Sequence, residues 1–391
     1  MLGLVKDHPG YKLSVRTAKG RLFAGAALGL IIAFSVAAAV PAAGPPGTLA
    51  TRGRVTALAA DGDRVALIVA APYVQTHGST FDCASVVVWE PMGRVVRLQR
   101  PCGPGQDISN REGTRGVTLA GTRAAWLHLD GGNTLETIMK TATVAHPSLV
   151  TIAYGASSEG GDGEFPREPF GDGTLLAFTV EQRCDADAVL NQGPGAPNQC
   201  PPGRKTGYVT AATVWRMSGI DRCPEMYGFS TPTPSGVRRC SRVATADGEL
   251  SVLGVDAGRI VVQAESGLRL LSAGGSVLQE FDVRARSAAL SGNRLAVRTA
   301  NAVEVYDTSS GQRTAQFPAA SALKLQDLDR DILVTALGGT VTLRRLGDGR
   351  TSTIRAGGTA LAQLESPGLF VAGDRRVTFT PMRDVLRQLG N

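Results

Sequence analysis

Histidine, lysine and aromatic residues are scarce in this chain of 391 residues, and recognisable catalytic motifs are scarcer still. Histidine occurs at His8, His77, His128 and His146, and lysine only at Lys6, Lys12, Lys19, Lys140, Lys205 and Lys324. Phe, Trp and Tyr make up 5% of the sequence. No block of Lys and Arg interleaved with aromatics occurs, so the footprint of a nucleic-acid binder is missing. No Cys-x-x-Cys or nearby His pair offers a zinc site. No Gly-x-Ser-x-Gly elbow, phosphate loop or dinucleotide fingerprint stands in a setting that would give it a mechanism. The residues therefore imply no cofactor and no metal, and no catalytic motif.

What the chain has is a repeat. Ala257-Gly258-Arg259-Ile260-Val261-Val262, Gly292-Asn293-Arg294-Leu295-Ala296-Val297, Arg330-Asp331-Ile332-Leu333-Val334 and Pro367-Gly368-Leu369-Phe370-Val371 are one motif written four times. The anchors Arg259, Arg294, Asp331 and Gly368 are spaced by 35, 37 and 37 residues. Each unit reads as a small-apolar strand, a Gly turn, a second strand, a third strand with alternating polarity such as Val303-Glu304-Val305, and a fourth. Four short antiparallel strands per unit of about 40 residues describe one blade of a β-propeller.

The second-strand motif recurs upstream at Arg64, Arg123 and Thr174, giving seven units with irregular early spacings of 59, 51 and 85 residues. The excess is expected mostly in loops, chiefly two insertions over residues 68–84 and 184–241. The expected fold is all-β, a propeller of seven four-stranded blades over residues 54–391, preceded by one N-terminal hydrophobic helix. The pattern resembles the large, loosely related family of bacterial WD-repeat, PQQ-repeat and TolB-like propellers. Val305-Tyr306-Asp307 stands where a WD-repeat blade carries its Trp-Asp pair, and the other blades lack it. The resemblance implies a fold and leaves activity open. A quinone-dependent redox propeller is disfavoured, because no stacking set of Trp recurs across the units.

The ends suggest export. Residues 1–21 form a basic leader (Lys6, Lys12, Arg16, Lys19 and Arg21 against Asp7), and residues 22–40 are uncharged. Basic residues ahead of an apolar segment hold the leader in the cytoplasm and send the remainder across. Residues 22–40 serve either as a single-pass signal anchor or as a signal peptide cleaved near Ala37–Ala42. A Pro/Gly-rich linker follows over residues 41–53. The last unit is expected to run through Asp384–Leu389. Ring closure has two solutions: the first and last blades simply pack, or Thr48–Arg54 adds to the last sheet.

The leader carries +4 of the formal charge of +7, which leaves a mildly basic remainder. Cys83, Cys102, Cys184, Cys200, Cys223 and Cys240 are even in number, lie beyond the apolar segment and fall in the irregular early units. Export and an even count point to disulfides that staple loops, with pairing between sequence neighbours (83–102, 184–200, 223–240).

Asp327, Asp329 and Asp331 invite a Ca²⁺ reading, but the run lacks the Gly and terminal Glu of a calcium loop and reads as a solvated turn. Two functions remain. The first is a non-enzymatic extracytoplasmic module that binds a protein, glycan or other envelope component through its loops. The second is a propeller hydrolase or lyase, whose catalytic candidates at the channel are His128, Asp130 and Glu136. Three or more ionisable side chains at one channel mouth would favour the enzyme. An apolar or Gly-lined mouth beneath Cys-stapled loops would favour the binding module.

Overall fold

The computed structural model describes residues 47–74, 80–99, 113–131, 135–158, 162–187, 199–217 and 240–390. The expected N-terminal hydrophobic helix lies outside the described residues. Within them the chain forms seven antiparallel sheets. The first strand, β1 (Thr48–Ala50), belongs to the last blade. Blade 1 is β2 (Arg54–Asp61), β3 (Arg64–Val74), β4 (Thr80–Trp89) and β5 (Val95–Gln99). Blade 2 is β6 (Gly113–Ala120), β7 (Arg123–Gly131), β8 (Leu135–Thr143) and β9 (Thr151–Ser158). Blade 3 has a broken inner strand, β10 (Gly163–Pro166) then β11 (Phe170–Asp172), both paired to β12 (Leu175–Arg183), with β13 (Val209–Met217) and β14 (Ser241–Asp247) outside them.

The later blades are regular. Blade 4 is β15 (Leu250–Asp256), β16 (Arg259–Ala264), β17 (Gly267–Ser272) and β18 (Val277–Phe281). Blade 5 is β19 (Ser287–Ser291), β20 (Arg294–Arg298), β21 (Ala302–Asp307) and β22 (Arg313–Pro318). Blade 6 is β23 (Lys324–Asp329), β24 (Ile332–Leu337), β25 (Thr340–Arg345) and β26 (Thr351–Arg355). Blade 7 is β27 (Leu361–Glu365), β28 (Gly368–Ala372) and β29 (Arg376–Pro381), completed by β1. Every repeat anchor falls at, or one residue before, the start of its blade's second strand.

A strand shows successive side chains to opposite faces, so a blade packed on both sides needs apolar residues at consecutive positions. That is why the repeat motif is a continuous apolar run: Ile260, Val261 and Val262 are all 0% exposed. Ile260 and Val262 pack with blade 3, while Val261 packs with blade 5. The same division holds around the molecule, with one apolar cluster between each pair of neighbouring blades. The seventh cluster joins Phe370, Ala372 and Val377 of blade 7 to Val65, Leu67 and Trp89 of blade 1, and so shuts the ring.

Closure takes the second of the two expected routes. Thr48, Leu49 and Ala50 pair with Thr378, Val377 and Arg376, which gives the last sheet an outer strand from the front of the chain. The C-terminal residues do not extend that sheet. They form the helix α1 (Met382–Gln388), whose Val385, with Leu389 just beyond it, packs against blades 6 and 7. No described helix is long and apolar enough to cross a membrane.

The expectation that insertions lie in loops needs correction at residues 68–84. There β3 and β4 lengthen together, paired from Val65↔Trp89 to Val74↔Thr80. One strand cannot grow without leaving backbone groups unpaired, but two partners growing in register satisfy each other.

Candidate functional site

The order of strands fixes what lies at each end of the central channel. The inner strands of neighbouring blades contact one another around it. In each blade the chain runs outward from the inner strand through antiparallel strands, with the inner strand of blade 3 broken in two and the outer strand of blade 7 supplied by β1. The turns after the first and third strands therefore share one end, and the connections after the second and fourth share the other. The second end receives the extended β3–β4 hairpin, the connection between β12 and β13, and the links from blade 1 to 2 and from blade 2 to 3.

A cavity of about 970 Å³ occupies the channel at that second end. Its wall includes the beginnings of inner strands: Thr114 and Arg115 of blade 2, Ser251 of blade 4, Arg286 and Ser287 beside blade 5, and Gln326 of blade 6. Blade 3 contributes Arg167 and Glu168 from the break between β10 and β11, and Arg183 from the end of β12. Leu127, Leu129, Phe165, Phe170, Leu253 and Leu325 supply apolar wall between them.

The charges at this mouth are mostly positive. Glu181 is buried, accepts hydrogen bonds from Arg183 Nε and Nη2 at 3.1 and 2.7 Å, and lies 3.3 Å from Arg167 Nε. The Arg183 guanidinium also sits 4.3 Å from the centroid of the Phe165 ring. Arg115 and Arg286 are exposed, and neither has a carboxylate partner among the described residues.

The opposite end is acidic. The inner strands finish on Asp61, Ala120, Asp172, Asp256, Ser291, Asp329 and Glu365 in blades 1 to 7. Several of these side chains accept from the backbone N–H at the turn of another blade. Asp61 Oδ2 receives Gly121 N and Gly173 N at 2.5 and 2.7 Å, and Asp172 Oδ2 receives Ala257 N at 2.7 Å. Asp256 Oδ2 receives Gly292 N at 3.2 Å, Ser291 Oγ receives Arg330 N at 3.0 Å, and Glu365 Oε2 receives Gly62 N at 3.3 Å. This belt laces blade to blade around the ring.

Burying carboxylates close to one another raises the cost of ionising them. Burial, and then the nearby Asp327, push Glu365 up to about 9. Burial pushes Asp327 up to about 7, against the pull of hydrogen bonds from Leu364 N and Leu328 N. Asp61, Asp256 and Asp329 are raised as well, chiefly by burial. Asp327, expected in a solvated turn, is instead tied to the inner strand of blade 7. Among the described residues no group of three His, Cys, Asp or Glu side chains could hold a metal ion.

His128, Asp130 and Glu136 sit together on blade 2 but do not line the cavity. Asp130 and Glu136 are cross-strand partners, and His128 lies two residues before Asp130 on β7. Strand alternation puts them on the face of Trp126, which packs toward blade 1, whereas Leu127 and Leu129 face the cavity. Burial, and then Lys140, lower His128 to about 4 against the opposing pull of Asp130, so its imidazole is neutral at physiological pH. His77 lies outside the described residues.

Cys184 and Cys200 form a disulfide with a Cα separation of 4.8 Å, in the connection between β12 and β13. Cys83 and Cys240 are also disulfide-bonded, and Cys102 and Cys223 lie outside the described residues. The acidic belt was missed from sequence, although its signal was present: it is the residue just before each turn, as in Asp61-Gly62, Asp172-Gly173 and Asp256-Ala257. The arginine mouth left no comparable column, because Arg115, Arg167, Arg183 and Arg286 occupy different positions in their blades.

Ionisable side chains thus stand at both mouths, and their number alone meets the mark set for an enzyme. The two mouths differ in chemistry. Guanidinium groups stay protonated and cannot exchange protons at neutral pH, and most carboxylates of the belt are occupied by backbone donors.

No protein-family model and no curated protein matches this sequence. Solved structures with a similar chain path include Sqt1 of Saccharomyces cerevisiae (TM-score 0.43, 10% identity, covering 85% of this chain and 98% of that one). KlHsv2 with its loop 6CD replaced by a Gly-Ser linker is similar at a TM-score of 0.44 and 10% identity, over 82% of this chain and 89% of that one. The acylaminoacyl peptidase of Pyrococcus horikoshii is similar at 0.45 and 10% identity, over 83% of this chain and 52% of that one.

Proposed function

We propose that this chain is an extracytoplasmic binding propeller that grips an envelope component with one end of its ring. One observation carries the reading: the cavity mouth, the lengthened β3–β4 hairpin and the Cys184–Cys200 loop all belong to the same end. Rigid blades that hold irregular connections at one rim are a common arrangement for recognition. The disulfide suits an oxidising compartment. The basic leader and residues 22–40 supply the route there, as a single-pass anchor with the N-terminus inside or as a cleaved signal. The further pairings 83–102 and 223–240 belong to the same proposal.

Two experiments test it. An alkaline phosphatase fused after residue 391 is active if the propeller is exported; an inactive fusion with intact protein refutes the location. A photo-crosslinking residue placed at Lys205, on the connection between β12 and β13, should capture the partner in intact cells. The same residue at Ser309, in a turn at the opposite end, should not. Equal capture at both sites, or capture at Ser309 alone, rejects the binding face.

A specific observation also favours the second reading, a hydrolase or lyase at the channel. Asp327 near 7 and Glu365 near 9 are carboxyl groups poised to hold protons at neutral pH, as a general acid must. They, and not His128, Asp130 and Glu136, would carry such chemistry. Hydrolytic turnover that vanishes in Glu365→Gln with the fold intact would establish it; turnover unchanged in that variant would exclude it.

A further inference from the structure

The arginine mouth has a ligand chemistry written into it, and the following rests on the proposal that this end of the ring is a binding face. We infer that the channel mouth receives an acidic peptide segment, with side-chain carboxylates paired to Arg115 and Arg286 and apolar side chains against the cavity wall.

The argument begins with charge. Of the four guanidinium groups at the mouth, Arg183 and Arg167 share the buried Glu181, and Glu168 is the carboxylate on the wall itself. Arg115 and Arg286 are left with no carboxylate among the described residues. Unpaired guanidinium forks beside low-dielectric wall are the groups that bind carboxylates bidentately, and they gain strength as water leaves.

The arrangement then narrows the ligand. The arginines are distributed over blades 2, 3 and 5 and do not converge on a point. Separate carboxylates spaced along a chain fit that distribution better than one compact anion. Leucine and phenylalanine fill the wall between them, which an acidic and apolar peptide can answer. A uronate-bearing glycan fits less well: sugar rings favour a bare aromatic face, whereas Phe165 is buried with the Arg183 guanidinium over its ring and Phe170 packs against the cluster between blades 3 and 4. Strand ends at Thr114, Ser251 and Ser287 add hydroxyl groups for peptide carbonyl and amide groups. The other end of the channel is less suited to an acidic segment, because its inner strands finish on Asp61, Asp172, Asp256 and Asp329.

Fluorescence anisotropy on the full-length chain tests the inference. The probe is a labelled octapeptide alternating glutamate with leucine and serine, set against its glutamine counterpart and against oligogalacturonate. The glutamate peptide should bind at least about tenfold tighter than the glutamine one, and lose that margin between about 50 and about 500 mM salt. Combining Arg115→Gln with Arg286→Gln should weaken binding by at least about tenfold, while Arg97→Gln on the outer strand of blade 1 leaves it unchanged. Arg115 and Arg286 are exposed and have no carboxylate partner among the described residues, so the double variant should melt with the native protein; Arg286→Lys, which keeps the charge and loses the fork, should give an intermediate affinity.

Equal binding of the two peptides, insensitivity to the double variant, or tighter binding of oligogalacturonate each overturns the inference. If the peptide fails while crosslinking from Lys205 still captures a partner, the ligand class is wrong and the binding face stands. Failure of both removes the face as well.

Discussion

Ala257 and Arg330 are the two residues other than glycine with positive φ, at 45° and 53°, among the described residues. Both follow the last residue of an inner strand, where Gly62, Gly121, Gly173 and Gly292 stand in other blades with φ of 54° to 62°. A Cβ in this region costs about 1 kcal/mol or more, so Ala257→Gly should stabilise the ring by about 0.5–1 kcal/mol, read as a higher denaturation midpoint. Arg330→Gly should give less, since Arg330 Nη2 donates to Ser366 Oγ at 3.3 Å.

The raised carboxyl groups set a pH dependence. Glu365 and Asp327 keep protons in the folded chain that the unfolded chain releases, so stability falls as pH rises. The loss from Asp327 runs from its ordinary carboxylate range to about 7, and that from Glu365 continues to about 9. The melting temperature should therefore decline through this range, and Glu365→Gln should flatten the part above pH 7. An unchanged slope in that variant would mean that Glu365 is ionised at neutral pH.

At the scale of elements, the second strands were legible because each is buried on both faces and writes an unbroken apolar run. Other elements left weaker traces. The strand β1 has three residues and pairs with a partner about 330 residues away, so nothing local marks it. The helix α1 has seven residues, too few to separate a helical period from a strand. The β3–β4 extension looked like a loop because partners growing together cannot be seen in one strand alone. The belt of inner-strand ends was written plainly in the repeat, but only an alignment of the units on their turns brings those residues into one column.

Two predictions belong to this scale. Phe370 is 0% exposed and packs edge-on to Trp89 with ring centroids 6.3 Å apart across the closing interface. Phe370→Ala should destabilise the propeller by about 3–5 kcal/mol, measured by denaturant unfolding. Removing the Cys184–Cys200 bond with paired Ser substitutions should speed proteolysis between those positions far more than it lowers the melting temperature. The loop it closes hangs from one blade, whereas the ring is held by seven interfaces.

For the whole molecule, function follows from closure. A ring gives every blade two neighbours, leaves no unpacked flank, and defines a channel with two unlike ends. Arginines gather at the end that carries the lengthened β3–β4 hairpin and the β12–β13 connection, and carboxylates gather at the other, where they tie the turns together. An open array of the same sheets would have neither a shared mouth nor a belt.

Closure can be tested by a covalent trap. Leu49 and Val377 are direct cross-strand partners between the front of the chain and its last blade. In the full-length protein carrying Leu49→Cys and Val377→Cys, mild oxidation should join the two introduced thiols within one chain, detected by mass spectrometry of the non-reduced digest. A bond from the first introduced thiol only to a second molecule, or no bond under conditions that leave Cys184–Cys200 intact, would contradict the closed ring.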